Sequence, residues 1–177
     1  MCRKMKLFGM SMKNLTDTEY ELIVNESFKL LYSIAYNYTR DSLASEDIVQ
    51  ETFIKFYLRR NTFKSKEHIK NWLIRVVINS SINVLKHNKK VVLVNEKQID
   101  NSLDTSFVNE KCEDIYNSIC LLKDNYRKVI VLYYYENYSI KEIANILKIS
   151  EKNVTVRLTR ARQKLKQIID ERRKSND

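Results

Sequence analysis

A chain of 177 residues with no proline and a single glycine, Gly9, has few folds open to it. Glycine lets backbone approach a phosphate closely or take a left-handed turn without a steric cost. One glycine near the N-terminus cannot build a P-loop, a dinucleotide fingerprint or a G-x-S-x-G nucleophile elbow. Sheet-rich folds also lean on glycine at hairpins and bulges. An all-α protein remains, with turns made by Asn, Ser and Asp. Hydrophobic residues are 44% of the chain, enough for a real core. The length suits one medium domain or two small ones.

Charge narrows the partner. A formal net charge of +10 suits nucleic acid or an anionic membrane surface. The first residues, MCRKMKLFGMSMKN, are basic but lack the long apolar core of a signal peptide. The best apolar run, Val129 to Tyr135, is too short to cross a bilayer. The expectation is a soluble, cytoplasmic protein. Cys2, Cys112 and Cys120 have no C-x-x-C spacing, and His68 lies far from His87. No metal site, no cofactor and no disulfide framework is expected, only reduced cysteines. The carboxylates are scattered on helix surfaces with no nucleophile–base pair, so the chain is not read as an enzyme.

Helical periodicity divides the chain in two. Thr16-x-x-Glu19 is a capping box before an apolar-periodic stretch, Tyr20 to Tyr38, carried by Leu22, Ile23, Phe28, Leu31, Ile34, Ala35 and Tyr38. A second helix runs from about Ser45 to Arg60, with Ile48, Val49, Phe53, Ile54 and Phe56 as its apolar positions. A polar loop, Asn61 to His68, precedes a third helix from about Ile69 to His87. From Asn88 to Cys112 periodicity is lost; VVLV at Val91 to Val94 could pass for a short strand, and a polar stretch follows. These spans predict a domain at 16–88, a flexible linker at 89–112 and a second domain at 113–173.

The C-terminal half carries the clearest motif. Ser139-x-x-Glu142 is a second capping box, and Ser150 can cap the last helix after a tight turn at Ile149 and Ser150. SIKEIANILKISEKNVTVRLTRARQKLKQII therefore reads as a helix-turn-helix. At about 100° per residue, Val154, Leu158, Ala161, Leu165 and Ile168 share one face of its last helix. Lys152, Thr155, Val156, Thr159, Arg160 and Gln163 share the opposite one, flanked by Arg157, Arg162, Lys164 and Lys166. No acid lies between Lys152 and Lys166. A merely solvated basic face is the plain alternative. The capped first helix and short turn favour DNA: Val156 and the Thr methyls suit thymine methyls, Arg160 suits guanine, and the flanking cations suit phosphates.

These residues resemble the promoter-reading domain of extracytoplasmic-function sigma factors, most specifically in EIA and in R-x-x-RAR-x-x-L from Arg157 to Leu165. EDIVQETFIKFY, Glu46 to Tyr57, is similar to the core-polymerase-binding helix of that family's other domain. The third helix matches as F-x8-WL-x-R-x3-N, through Phe63, Trp72, Leu73, Arg75 and Asn79. The resemblance implies that Glu46, Asp47, Gln50 and Glu51 dock on core RNA polymerase. It implies that Asn61, Thr62, Phe63, Lys64, Ser65 and Lys66 form the loop that captures a flipped base of the −10 element. Asn79, Asn83 and Lys86 would then face upstream −10 DNA. It assigns base reading in the −35 element to Thr155, Val156, Thr159 and Arg160, and phosphate contacts to Lys152, Arg157 and Arg162. It further implies promoter DNA and an anti-sigma factor as partners.

Each assignment has a rival in the residues themselves. The acids near the start of the second helix also complement a helix N-terminus. Phe63 and Trp72 read as core rather than as stacking platforms. Departures from the family pattern bear on promoter choice: Lys148 stands at a turn position often taken by glycine, at a cost of about 1 kcal/mol. Asn153 replaces a usual Thr, Leu122-Lys123 a usual Leu-Pro, and Trp72-Leu73 the Trp pair that primary sigma factors use in melting. Weak melting and strict promoter choice are expected. A stand-alone helix-turn-helix repressor, binding a palindrome without polymerase, remains an alternative, as does a helical adaptor whose charge binds membrane or RNA without reading sequence.

Overall fold

The computed structural model describes residues 15–94 and 110–176, all helix and turn. Among the described residues, seven α-helices follow one another: α1 Asp17–Thr39, α2 Ser42–Arg59, α3 Lys66–Val94, α4 Glu110–Cys120, α5 Asp124–Ile130, α6 Ile140–Leu147 and α7 Glu151–Asn176. A short 3₁₀ turn, Arg60–Thr62, links α2 to α3, and a π-helical turn, Val131–Tyr135, continues α5. The chain forms two compact units, Met1–Ser81 and Ile82–Asp177.

In the first unit, α1 and α2 both start from side-chain caps. The Thr16 hydroxyl accepts from the Glu19 N–H, and the Glu19 carboxylate accepts from the Thr16 N–H at 3.0 Å. These bonds hold the Glu19 carboxyl below its ordinary pKa, the backbone bond from Thr16 first. Helix α1 ends on Arg40 in the left-handed region, φ 53°. Asp41 then caps α2, its carboxylate accepting from Ala44 N–H at 3.0 Å. Helix α2 thus starts at Ser42, three residues before the position that periodicity suggests. Leu31, Ile34, Ala35, Tyr38, Val49, Phe56, Leu73, Ile74 and Ile78 make the core. Each fully buried large side chain of this kind contributes about 1.5–3 kcal/mol of transfer free energy.

Three expectations change. Ile54 is 62% exposed, not part of the core. Leu22 and Phe28, placed on the apolar stripe of α1, are also exposed. Val91 to Val94 are helical, and α3 runs from Lys66 to Val94 instead of ending near His87. Valine's helix penalty is only a few tenths of a kcal/mol per residue, whereas extending an existing helix needs no new nucleus. The linker's residues 95–109, Cys2 and the side chain of Cys112 lie outside the described residues.

In the second unit, Arg127 is 5% exposed and closes the C-terminus of α4. Its guanidinium donates to the carbonyls of Ile119 at 3.2 Å, Leu122 at 3.0 Å, and Cys120. A cation at orphan helix carbonyls satisfies them and complements the helix dipole. The core of this unit holds Val129, Ile130, Leu132, Ile143, Ile146, Val154, Leu158 and Ala161, all nearly solvent-free.

Candidate nucleic-acid interface

The helix-turn-helix is positioned by local chemistry. Ser139 and Glu142 form the reciprocal capping box of α6. Helix α6 stops at Lys148, which takes the left-handed conformation, φ 55° and ψ 49°. Lysine accepts there the strain that glycine would avoid. Ser150 caps α7, its hydroxyl accepting from Asn153 N–H at 3.2 Å. Val154, Leu158 and Ala161 then face the core, with Leu165 and Ile168 half-buried. Lys152, Thr155, Val156, Thr159, Arg160 and Gln163 are all exposed, so the two faces divide as periodicity predicts.

The outer face has a defined chemistry. Thr155 donates its hydroxyl proton to the Glu151 carbonyl and Thr159 to the Thr155 carbonyl, each at 3.1 Å. Their donors being engaged within the helix, these threonines offer a ligand a methyl group and an acceptor oxygen. That suits a thymine methyl or an amino group of adenine or cytosine. Arg160 presents exposed donors, the complement of guanine O6 and N7. The flanking arginines are held: Arg157 Nε donates to Asn153 Oδ1 at 2.9 Å, and Arg162 Nε to the Tyr134 hydroxyl at 2.8 Å. Asn153, a departure from the usual Thr, thus has work within the helix. Along the C-terminal part of α7 lies an apolar groove of about 660 Å³, lined by Ile119, Ile130, Tyr134, Leu165 and Ile169 with Arg162 and Lys166 among its polar residues.

From α2 through α3 the candidate residues separate into two kinds. Most of the loop residues build the loop itself. The Asn61 side-chain carbonyl accepts from Leu15 N–H at 3.2 Å, and Thr62 donates its hydroxyl to the Arg59 carbonyl at 2.8 Å. Phe63 is 5% exposed and packs edge-on against Phe56, His68 and Trp72, with ring centroids 5.2–5.5 Å apart. It is core, as read from its type, and in this conformation is no stacking platform. Lys64 N–H donates to His68 Nδ1 at 3.4 Å, and the Ser65 hydroxyl accepts from His68 N–H at 3.1 Å, capping α3. The Lys64 side chain is exposed and Lys66 half-buried, and Asn79, Asn83 and Lys86, at i, i+4 and i+7 on α3, are all exposed.

Helix α2 carries the other kind. Asp47 and Gln50 are exposed on one stripe with Leu43, Ile54 and Leu58, which are 74, 62 and 78% exposed. Glu51 is exposed and pairs with Lys55 at 3.0 Å, and Glu46 is exposed to the side of the stripe. Because α2 starts at Ser42, its first turn contains no acid. The helix dipole therefore does not account for Glu46 and Asp47, since its effect fades beyond the first turn. Periodicity does not single out Leu43 or Leu58; the signal for the stripe is that Leu43, Asp47, Gln50, Ile54 and Leu58 follow one another at steps of three or four residues.

Family models describe the same two regions. Residues 23–91 match sigma-70 region 2 and residues 112–165 match sigma-70 region 4. The chain is 31% identical over 155 residues to the extracytoplasmic-function (ECF) RNA polymerase sigma factor SigM of Bacillus subtilis, covering 85% of this chain and 92% of that relative. The chain belongs to the ECF sigma factors. It is also 28% identical over 151 residues to SigW of B. subtilis, covering 77% and 81%. This sigma factor shares its fold with CnrH, solved with the cytosolic domain of CnrY, at a TM-score of 0.65 and 22% identity over 88% of this chain and 90% of that one. RpoE of Bartonella quintana, solved with the anti-sigma factor NepR, aligns at 0.57 and 18% identity over 86% and 95%. As an alternative sigma factor, the chain directs promoter recognition in transcription initiation. Membership sets aside the stand-alone repressor and the sequence-blind adaptor.

Proposed function

We propose that residues 16–88 hold the core-polymerase and −10 surfaces, that 89–112 link them to the rest, and that 113–173 read the −35 element. The stripe on α2 carries the polymerase assignment. Three large apolar side chains left in water beside Asp47 and Gln50 are expensive for a monomer to expose and typical of a protein contact. Asp47 and Gln50 form the polar centre of that contact and Leu43, Ile54 and Leu58 its apolar part, with Glu46 and Glu51 on the rim.

Lys64, Lys66, Asn79, Asn83 and Lys86 supply the −10 contacts, on a loop whose shape Asn61, Thr62, Phe63 and Ser65 maintain. Thr155, Val156, Thr159 and Arg160 read −35 bases, while Lys152, Arg157 and Arg162 hold phosphates. The factor binds and orients without chemistry of its own, in the cytoplasm where polymerase and promoter meet. Among the described residues, no helix is long and apolar enough to cross a membrane. Two of its structural relatives were solved with a protein partner, one of them with the anti-sigma factor NepR. An anti-sigma factor is proposed for this chain as well.

The test is gel filtration of the full chain with sigma-free core RNA polymerase. The wild type is expected to co-elute. Asp47→Ala with Gln50→Ala, and separately Ile54→Asp with Leu58→Asp, are expected to elute alone while keeping wild-type melting temperatures. Co-elution of both double variants would refute the stripe as the docking surface.

A further inference from the structure

We propose that Tyr134, supported by Tyr133, is a positioning residue that presets Arg162 for a phosphate of the −35 duplex. The inference rests on the assignment of Arg162 as a backbone contact and adds the group that makes that contact effective.

The geometry begins with the π turn. Glu136 N–H donates to the Val131 carbonyl at 3.1 Å, a five-residue step that widens the helix over Val131–Tyr135. Such turns are rare and recur at functional sites. Here the turn carries two consecutive tyrosines with ring centroids 5.0 Å apart, edge to face. Arg162, 28 residues on, brings its guanidinium carbon to 5.8 Å from both centroids. Its Nε donates to the Tyr134 hydroxyl at 2.8 Å. Both Arg162 and Tyr134 are solvent-exposed, Tyr134 at 51%. A tyrosine of this size left half in water on a small domain is a poor core residue, so burial is not what places it here.

The chemistry favours a phosphate. An arginine side chain loses considerable rotamer freedom when it is fixed in a complex. The Tyr134 bond and the two ring faces remove part of that freedom beforehand, and preorganisation of this kind strengthens binding without a new contact to the ligand. The bond uses Nε alone. The four N–H donors on the two Nη atoms remain for a ligand, and a fork of that shape matches a phosphate. Arg162 sits on the flank of the base-reading face rather than at its centre, where a backbone contact belongs. A purely structural clasp would instead fasten α7 to the π turn that continues α5 and leave DNA binding indifferent.

The experiment measures full-chain holoenzyme, assembled with core RNA polymerase, on a short duplex bearing the −35 element that the wild type selects from a randomised library. Affinity is titrated against salt. Arg162→Ala is expected to lower the salt slope by about one. Tyr134→Phe is expected to weaken binding roughly three- to tenfold while leaving the slope unchanged, since the charge stays. The loss should be equal on duplexes with altered −35 bases, and should vanish when Tyr134→Phe is placed in the Arg162→Ala background. A Tyr134→Phe variant that binds like wild type, or that loses as much in both backgrounds, overturns the positioning role. If Arg162→Ala leaves affinity and slope untouched, the underlying phosphate assignment has failed, and Arg162 belongs to the neighbouring groove instead.

Discussion

The loop before α3 and the start of α7 are both polar segments, yet they use their side chains in opposite ways. On α7, Thr155, Val156, Thr159 and Arg160 point away from the core and keep a methyl, an acceptor or a full set of donors for a ligand. In the loop, Asn61, Thr62, Phe63 and Ser65 bond or pack within the protein, and only the lysine side chains remain outward. A helix has its backbone satisfied internally, so its outer side chains are available. An irregular segment has no such ladder and must satisfy its backbone through side chains. On the proposed assignment, recognition by α7 would follow from side-chain identity, whereas recognition by the loop would depend on a shape that its own residues maintain.

Substitutions can break this contrast. Phe63→Ala should be the most damaging, destabilising the first unit by about 3–5 kcal/mol in chemical denaturation, the cost of emptying an aromatic core site. Unchanged stability with impaired promoter opening would move Phe63 from the core to the DNA. Arg160→Ala should cost about 1–3 kcal/mol of −35 affinity at one base position, with stability unchanged. A uniform loss across all sequences would make it a phosphate contact. For Asn61→Ala a stability loss of about 1 kcal/mol is expected, the worth of one hydrogen bond. Asn61→Asp, which keeps the acceptor, should recover most of it; no recovery would mean that the bond to Leu15 is not what Asn61 contributes.

Lys148→Gly should stabilise the second unit by up to about 1 kcal/mol by relieving the left-handed lysine. A loss would show that the lysine side chain contributes more than its backbone costs. The smallest effect concerns pH. Glu19 has a lowered carboxyl pKa in the folded chain, so its capping contribution is complete above the ordinary value of 4.5 and fades as pH falls through the lower folded value. Glu19→Gln should abolish that part of the acid dependence, measured as the difference in unfolding midpoints across this window.

Much of the molecule was legible without coordinates because it is governed by neighbours in sequence. Both capping boxes, the Ser150 cap, the left-handed Lys148 and the two faces of α7 follow from contacts of three to five residues. Family resemblance pointed to α2 as the helix proposed to dock on polymerase, but periodicity put Ile54 inside because an apolar residue at roughly helical spacing looks the same whether it faces a core or solvent. The strand-like VVLV misled for a related reason: β-branched composition reports propensity, and a helix already formed overrides it.

The sequence alone determined the all-helical class, the division into two helical regions, the caps and the recognition face, since each depends on local hydrogen bonding and on a 3.6-residue period. Tertiary structure alone decided which polar groups are consumed and which are offered. Asn61 meets Leu15 across 46 positions, Arg162 meets Tyr134 across 28, and Arg127 gathers the carbonyls at the end of another helix. Such partners are chosen by packing in space, and no period along the chain encodes them.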